Sequence, residues 1–178
     1  MTERDGHLDE RLEARLRTLE DKEAIRARLS EIARGTDRFD PALLAGAIHE
    51  DALLDMGGAA PMSGAAFAAA LKAPAAPRPG RMHIVSNERI DVAGDTANSE
   101  SYVLSCQDVL VDGVRKTRIR AGRYLDRFER RDGDWKLAAR TFVDEWGRID
   151  PVGEPIAQGA HVGRPAPDDL SYAVEAER

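Results

Sequence analysis

The first 35 residues carry the spacing of apolar side chains that is typical of a helix. Apolar residues recur every three or four positions over two stretches, Leu8, Leu12, Leu16 and Leu19 and then Ile25, Leu29 and Ile32. The charges between them mix signs, as on a solvated helix face. Residues 18–21, Thr-Leu-Glu-Asp, resemble a capping box, which predicts a kink or a second helix start there, and Gly35 predicts the helix end.

Two further helices and a short strand are predicted between residues 40 and 71. Asp40 and Pro41 are the residue types preferred at the N-cap and first position of a helix, and an apolar face follows at Leu43, Leu44, Ala47 and Ile48. Residues 52–56 have the pattern of a short strand, and the alanine-rich segment 64–71 that of a helix. The proline-rich stretch 73–80 predicts a loop.

After residue 81 the apolar pattern changes to the alternation of strands. Four extended runs, 82–92, 96–111, 115–131 and 134–146, are separated by turn sequences that contain glycine, two of them Asp-Gly pairs. Helices followed by an antiparallel meander predict an α+β fold. A long, strongly curved antiparallel sheet wrapped by N-terminal helices forms a cone-shaped α+β barrel with a closed pocket inside. From residue 147 the chain is rich in Gly and Pro and has little periodicity.

Composition removes several classes of function. The 178 residues carry a net charge of −6 without a basic face, so we expect no nucleic-acid partner. No apolar run approaches the roughly 20 residues of a membrane helix, and no signal-peptide core is evident, so we expect a cytoplasmic protein and no membrane contact. Cys106 is the only cysteine, which excludes an internal disulfide. The four histidines lack the spacing of metal ligands, so we expect no metal.

Three segments resemble the SnoaL-like family of the nuclear transport factor two-like superfamily. They are residues 20–40, the corner Ile48-His49-Glu50-Asp51-Ala52, and the hairpin 122–146, which is the most specific of the three. The resemblance covers roughly residues 18–148. It implies one barrel domain over residues 1–148 with an N-terminal helical extension. Residues 149–178 remain as a tail, for which a lid, a subunit clamp and disorder are the alternatives.

The resemblance also implies an active site. In family lyases of the scytalone dehydratase, gamma-hexachlorocyclohexane dehydrochlorinase and bile acid 7α-dehydratase type, an Asp on the first long helix orients a His on a strand. The matching positions here are Asp37 and His83, and an Arg on the last strand that stabilises charge falls on Arg140. The bile acid enzyme also uses a Tyr at the position of Ile32, so its tyrosine-assisted step is not expected here. A neutral imidazole held by a carboxylate accepts a proton near neutral pH, and such chemistry requires no cofactor.

Alternation along the strands predicts the wall of the pocket. Arg140, Phe142 and Trp146 are predicted to share one face of the last strand, and apolar side chains to dominate the wall. The expected substrate-binding residues are Leu54, Met56, Phe67, Val103, Ser105, Arg120, Tyr124, Phe142 and Trp146. We therefore expect a small hydrophobic substrate, aromatic or polycyclic.

Each candidate residue also has a structural interpretation. Asp37 is equally compatible with capping the turn after the helix, and His83 with a hydrogen-bonded structural histidine. Arg140 is compatible with a buried ion pair to Asp144, Glu145 or Asp37. His49 is expected on the surface, without a catalytic role.

Three functional hypotheses follow. The first is an acid/base lyase that eliminates water, halide or a small carbon fragment, with double-bond isomerisation as a variant of the same proton transfer. The second is a non-catalytic ligand-binding or assembly module, in which Asp37 and His83 do not touch. The third is an accessory small subunit with a large exposed apolar sheet face. Self-association is expected because the outer face of a curved sheet needs cover, with a trimer favoured by the family resemblance and a dimer as the alternative.

Overall fold

The structure is a computed structural model that describes residues 3–58, 60–71, 80–152 and 161–176. The first element, α1, is one continuous helix, Glu3–Arg38, so the predicted break at residues 18–21 is wrong. The Thr18 hydroxyl donates to the Ala14 carbonyl at 2.9 Å, within the helix, and caps nothing. Gly35 does not end the helix either. A Cβ there would lie 2.9 Å from the Leu44 side chain, so the glycine permits close packing of the next helix.

The two apolar stripes of α1 have different surroundings. Ile25, Leu29 and Ile32 are buried in the main core, whereas the leucines of the N-terminal stripe, residues 8–19, are exposed. The second helix, α2 (Pro41–Ala47), begins as predicted. The Asp40 carboxylate accepts from the Leu43 main-chain N–H at 3.0 Å, the interaction of an N-cap.

A short strand pair and a third helix follow α2. Strand β1 (Ile48–Asp55) begins four residues before its predicted start, β2 is Met62–Ser63, and α3 is Gly64–Ala70, close to prediction. The proline-rich loop predicted at 73–80 lies almost wholly outside the described residues. His49, expected on the surface, is buried, and its Nε2 lies 3.1 Å from the Glu129 carbonyl oxygen.

The predicted meander is confirmed as four long antiparallel strands. They are β3 (Arg81–Ala93), β4 (Thr96–Val111), β5 (Val114–Arg131) and β6 (Asp134–Pro151). The glycines of all three turns adopt positive φ, as tight hairpins require. The sheet order is β2-β1-β6-β5-β4-β3, and β1 joins β6 in parallel.

The fold is therefore the expected α+β cone, with a curved sheet that is not closed by strand pairing. Helix α1 packs across the concave side against β3 and β6 and completes the enclosure. The convex side carries apolar residues that pair across four strands in the row Ile84, Leu104, Ala121 and Trp146. This outer apolar face is unpartnered within the part of the chain that the structure describes.

The C-terminal segment has more structure than its sequence suggests. Strand β6 continues to Pro151, and a helix, α4 (Leu170–Ala176), follows. The segment docks on the C-terminal end of α1: the Tyr172 hydroxyl donates to the Asp40 carboxylate at 2.7 Å, and Arg38 lies 3.4 Å from Asp169. None of the helices in the described ranges is long and apolar enough to cross a membrane.

Candidate active site

Asp37 and His83 meet where the last turn of α1 crosses the start of β3. The Asp37 Oδ1 lies 2.6 Å from His83 Nδ1, and its Oδ2 accepts from the His83 main-chain N–H at 2.9 Å. Both side chains are about nine-tenths buried. Because an ionised carboxylate only accepts hydrogen bonds, the contact to Nδ1 favours the tautomer with its proton on Nδ1, which leaves Nε2 able to accept a proton.

His83 lines a cavity of about 250 Å³ between α1, α3 and the concave face of the sheet. Six of the expected substrate-binding residues line it as well: Met56, Phe67, Ser105, Arg120, Tyr124 and Phe142. Leu54 and Val103 do not reach the cavity. Leu54 is part of the main core, and Val103 packs against Tyr124 and Phe142, which line the cavity.

Trp146 lies on the opposite face of the sheet, so the prediction that it shares a face with Arg140 and Phe142 is wrong. Gly122 pairs with Asp144, but the next residue along β5, Ala121, pairs with Trp146. This bulge inserts one extra residue into β6 and reverses the alternation beyond it. Trp146 is consequently 55% exposed and joins the outer apolar face.

Arg140 reaches the cavity but is held by Asp126, a partner that the sequence reasoning did not name. Its Nε and Nη2 donate to the Asp126 carboxylate at 2.8 and 2.7 Å, across the β5–β6 pair. Both side chains are buried, and burial raises the pKa of the Asp126 carboxyl against the attraction of Arg140. The Arg140 guanidinium also stacks 3.7 Å from the Tyr124 ring centroid. Two of its three nitrogens are thus occupied by Asp126.

Arg120 is occupied in the same way. It donates to Asp144 through Nε at 2.9 Å and through Nη2 at 2.6 Å, and its guanidinium lies 4.1 Å from the Phe142 ring centroid. Its hydrogen bond lowers the pKa of the Asp144 carboxyl. Burial raises the pKa of the nearby Tyr124 hydroxyl, which keeps the phenol neutral.

Thr36 on α1 was missed in the sequence, as were three polar cavity residues on the strands, Arg81, Gln107 and Arg118. Their signal was available. Arg81 lies two residues before His83 and Arg118 two residues before Arg120, so strict alternation turns them to the same face.

Metal ligation finds no support in the described ranges, where no group of three His, Cys, Asp or Glu side chains is placed to hold an ion. A wider groove of about 420 Å³, lined mostly by polar and charged residues of β3–β6 such as Arg89, Asn98 and Arg127, contains neither Asp37 nor His83. Asp37 and His83 also line a groove of about 380 Å³ between α1 and β3, but that groove contains neither Arg140 nor an aromatic wall. The cavity of about 250 Å³, which brings His83 together with both, is the candidate site.

Comparison with known proteins gives one family and a set of similar folds. A model described as SnoaL-like domain matches residues 17–141. Among solved structures, the hexachlorocyclohexane dehydrochlorinase LinA-type3 from Novosphingobium barchaimii is 25% identical, with a TM-score of 0.65 over 84% of this chain and 99% of that one. No curated protein matches the chain.

Two further structures come from Novosphingobium aromaticivorans. A candidate scytalone dehydratase is 24% identical, with a TM-score of 0.63 over 78% of this chain and 97% of that one. An NTF2-like protein with a cystatin-like fold is 29% identical, with a TM-score of 0.58 over 74% of this chain and 86% of that one. The shared fold and the family match agree with the expectation drawn from the sequence.

Proposed function

We propose that this chain, which belongs to the SnoaL-like domain family, is an acid/base lyase that removes a proton from carbon without a cofactor. One observation carries the proposal, the 2.6 Å contact between Asp37 Oδ1 and His83 Nδ1 at the wall of a cavity. The similar dehydrochlorinase and candidate dehydratase structures support a lyase or isomerase chemistry.

The proposed step begins with His83 Nε2 as general base. It takes a proton from a substrate carbon, the C–H electron pair forms a double bond, and the bond to the leaving group breaks with its pair. Asp37 stabilises the imidazolium that results, which lowers the barrier to proton transfer. The proton on Nε2 then passes to a departing hydroxyl, which leaves as water, or to solvent when a halide departs.

Arg140 is proposed to stabilise the departing group through its remaining Nη1 donor. Asp126 fixes the guanidinium at 2.7 and 2.8 Å, so the donor is oriented before the substrate arrives. Because Asp126 neutralises Arg140, the pair contributes a directed hydrogen bond more than a net positive field. The family resemblance alone had not revealed this arrangement.

The cavity volume bears on the size of the proposed substrate, and the outer apolar face bears on the oligomeric state. A volume of about 250 Å³ favours a molecule of one or two rings over a polycyclic substrate. The outer apolar face supports a homo-oligomer, for which a trimer is our first expectation and a dimer the alternative. The same face would also suit the accessory-subunit hypothesis, which the oligomeric state of the isolated chain tests below. The hypothesis of a non-catalytic binding module required Asp37 and His83 to be apart, whereas they lie 2.6 Å from each other.

The general base is tested with 5-nitrobenzisoxazole, a small bicyclic carbon acid whose deprotonation opens the ring to a coloured phenolate. The wild-type protein is expected to accelerate this elimination, and His83→Gln to lower kcat/KM by about a hundredfold or more, the range of general-base catalysis. The matched control is His161→Gln, which removes an exposed histidine outside the cavity. Equal rates for wild type and His83→Gln would overturn the assignment.

A further inference from the structure

The cavity-facing polar residues form two parallel rows across three strands. In one row His83 pairs with Ser105, and Ser105 with Arg120; in the other Arg81 pairs with Gln107, and Gln107 with Arg118. The rows are two residues apart along each strand, which is about 7 Å. A ligand bound at the second row therefore extends to the His83 row over roughly one ring with a substituent.

The charges of the two rows are balanced differently. In the first row Asp37 holds His83 and Asp144 holds Arg120. In the second row no ion pair joins Arg81 or Arg118 to a carboxylate within the described ranges. Gln107, the residue between them, is neutral; with its amide oxygen turned to Arg118 it accepts from that guanidinium. The second row itself thus holds two cations and no anion, and the carboxylates that attract Arg81 and Arg118, Asp37 and Asp144, are both paired with the first row.

Of the two cations, Arg81 has the greater need of an anionic partner. Its Nε is buried without a hydrogen-bond partner among the described residues, and its guanidinium lies 5.5 Å from the Phe39 ring centroid. Burial lowers the pKa of the Arg81 guanidinium, Arg118 adds to this by repulsion, and Asp37 and Tyr124 oppose it. A buried donor without an acceptor and a neighbouring like charge are both relieved by an anionic ligand group.

We propose that Arg81 and Arg118 form a carboxylate-binding subsite, so that the substrate is a small aromatic or alicyclic carboxylate whose anionic group lies at the second row. Deepening the proposed function, this inference names the class of substrate that the His83 base acts on. The apolar body of the ligand packs against Val85, Tyr124 and Phe142. The substrate expected from sequence as simply hydrophobic becomes amphipathic.

The test compares two probes of similar shape, the anion 4-methylbenzoate and the neutral 4-methylbenzamide. Their binding to the full chain is measured by calorimetric or NMR titration. Wild type is expected to bind the carboxylate about ten- to a hundredfold more tightly than the amide, the range of one or two charge-assisted hydrogen bonds. Arg81→Gln and Arg118→Gln should each reduce that preference, whereas Arg89→Gln, an 80% exposed arginine outside the cavity, should keep it.

Equal affinity of wild type for the two probes, or no carboxylate binding at millimolar concentration, overturns the inference. Should either variant fail to fold, the salt dependence of the wild-type preference serves instead, because a charge-based preference shrinks as ionic strength rises. Elimination of 5-nitrobenzisoxazole without carboxylate preference would leave the lyase proposal standing and remove only the subsite. A preference for the carboxylate without elimination of 5-nitrobenzisoxazole would leave the subsite standing and remove the lyase proposal.

Discussion

The carboxylate of Asp37 holds both the ring and the main chain of His83, at 2.6 Å and 2.9 Å. The two residues are separated by 46 positions in sequence, and their contact joins the end of α1 to the start of β3. Because a single group fixes both the strand and the imidazole, its replacement affects orientation, tautomer and charge together.

Asp37→Asn tests the tautomer. The amide oxygen is able to accept from the His83 main chain, but its NH₂ group then faces Nδ1 and favours the proton on Nε2, where it blocks the base. We expect kcat to fall by about a hundredfold or more while the fold is retained. Nitrogen NMR of the His83 ring reports the tautomer directly. An unchanged tautomer and rate would show that Asp37 only caps the turn.

The Arg140–Asp126 pair predicts an asymmetric effect on stability. Asp126→Ala leaves a buried guanidinium without its partner, so we expect the free energy of unfolding to drop by about 3–5 kcal/mol in a urea titration. The double variant Arg140→Met/Asp126→Leu removes both charges and should recover much of that loss. A double variant as unstable as Asp126→Ala would indicate that packing, and not the uncompensated charge, sets the cost.

Docking of the C-terminal segment predicts a response to acid. Hydrogen bonds from Ser171 and the Arg164 main chain, together with Arg38, outweigh burial and lower the pKa of Asp169 to about 2. A folded pKa below the unfolded value means that the stabilisation is complete above about pH 4 and is lost as the pH falls toward 2. Hydrogen exchange of the Ala166 amide, which donates to the Arg38 carbonyl, measures the docking. Asp169→Asn should abolish this acid dependence and weaken docking at neutral pH.

The outer apolar face predicts the oligomeric state. If copies of the chain associate through it, Ile84→Glu and Trp146→Glu should each shift the mass measured by light scattering toward the monomer. Leu53→Glu, at an exposed apolar residue of β1, is the matched control. A wild-type monomer would contradict self-association and would favour the accessory-subunit hypothesis for this face.

The sequence predicted the parts of the fold that depend on local chemistry. The glycine turns at residues 94, 113 and 133 determine the hairpins, and alternation then places His83 and Tyr124 on one face. Alternation also carried the signal of Asp126, an acidic residue between the inward-facing Tyr124 and Phe128, although it was not recognised.

The parts that were mispredicted depend on tertiary contacts. The bulge that turns Trp146 outward depends on Gly122, where a Cβ would lie 2.1 Å from the Val143 carbonyl oxygen, a contact between strands. Helix α4 has only seven residues and is held by Tyr172 and Asp169 against α1, so its own sequence carries little helical signal. The sequence also did not reveal that α1 continues through Thr18. The Thr18 hydroxyl is able either to cap a new helix or to donate to the Ala14 carbonyl within the same helix, and it does the latter.

The most direct test of the central claim is the primary kinetic isotope effect on 5-nitrobenzisoxazole deuterated at the carbon that loses its proton. The account predicts a large effect on kcat/KM in the wild type, with the rate of His83→Gln reduced nearly to that of solution. A wild-type isotope effect close to unity would contradict the assignment of His83 as the base. So would a His83→Gln variant that keeps both the wild-type rate and the isotope effect.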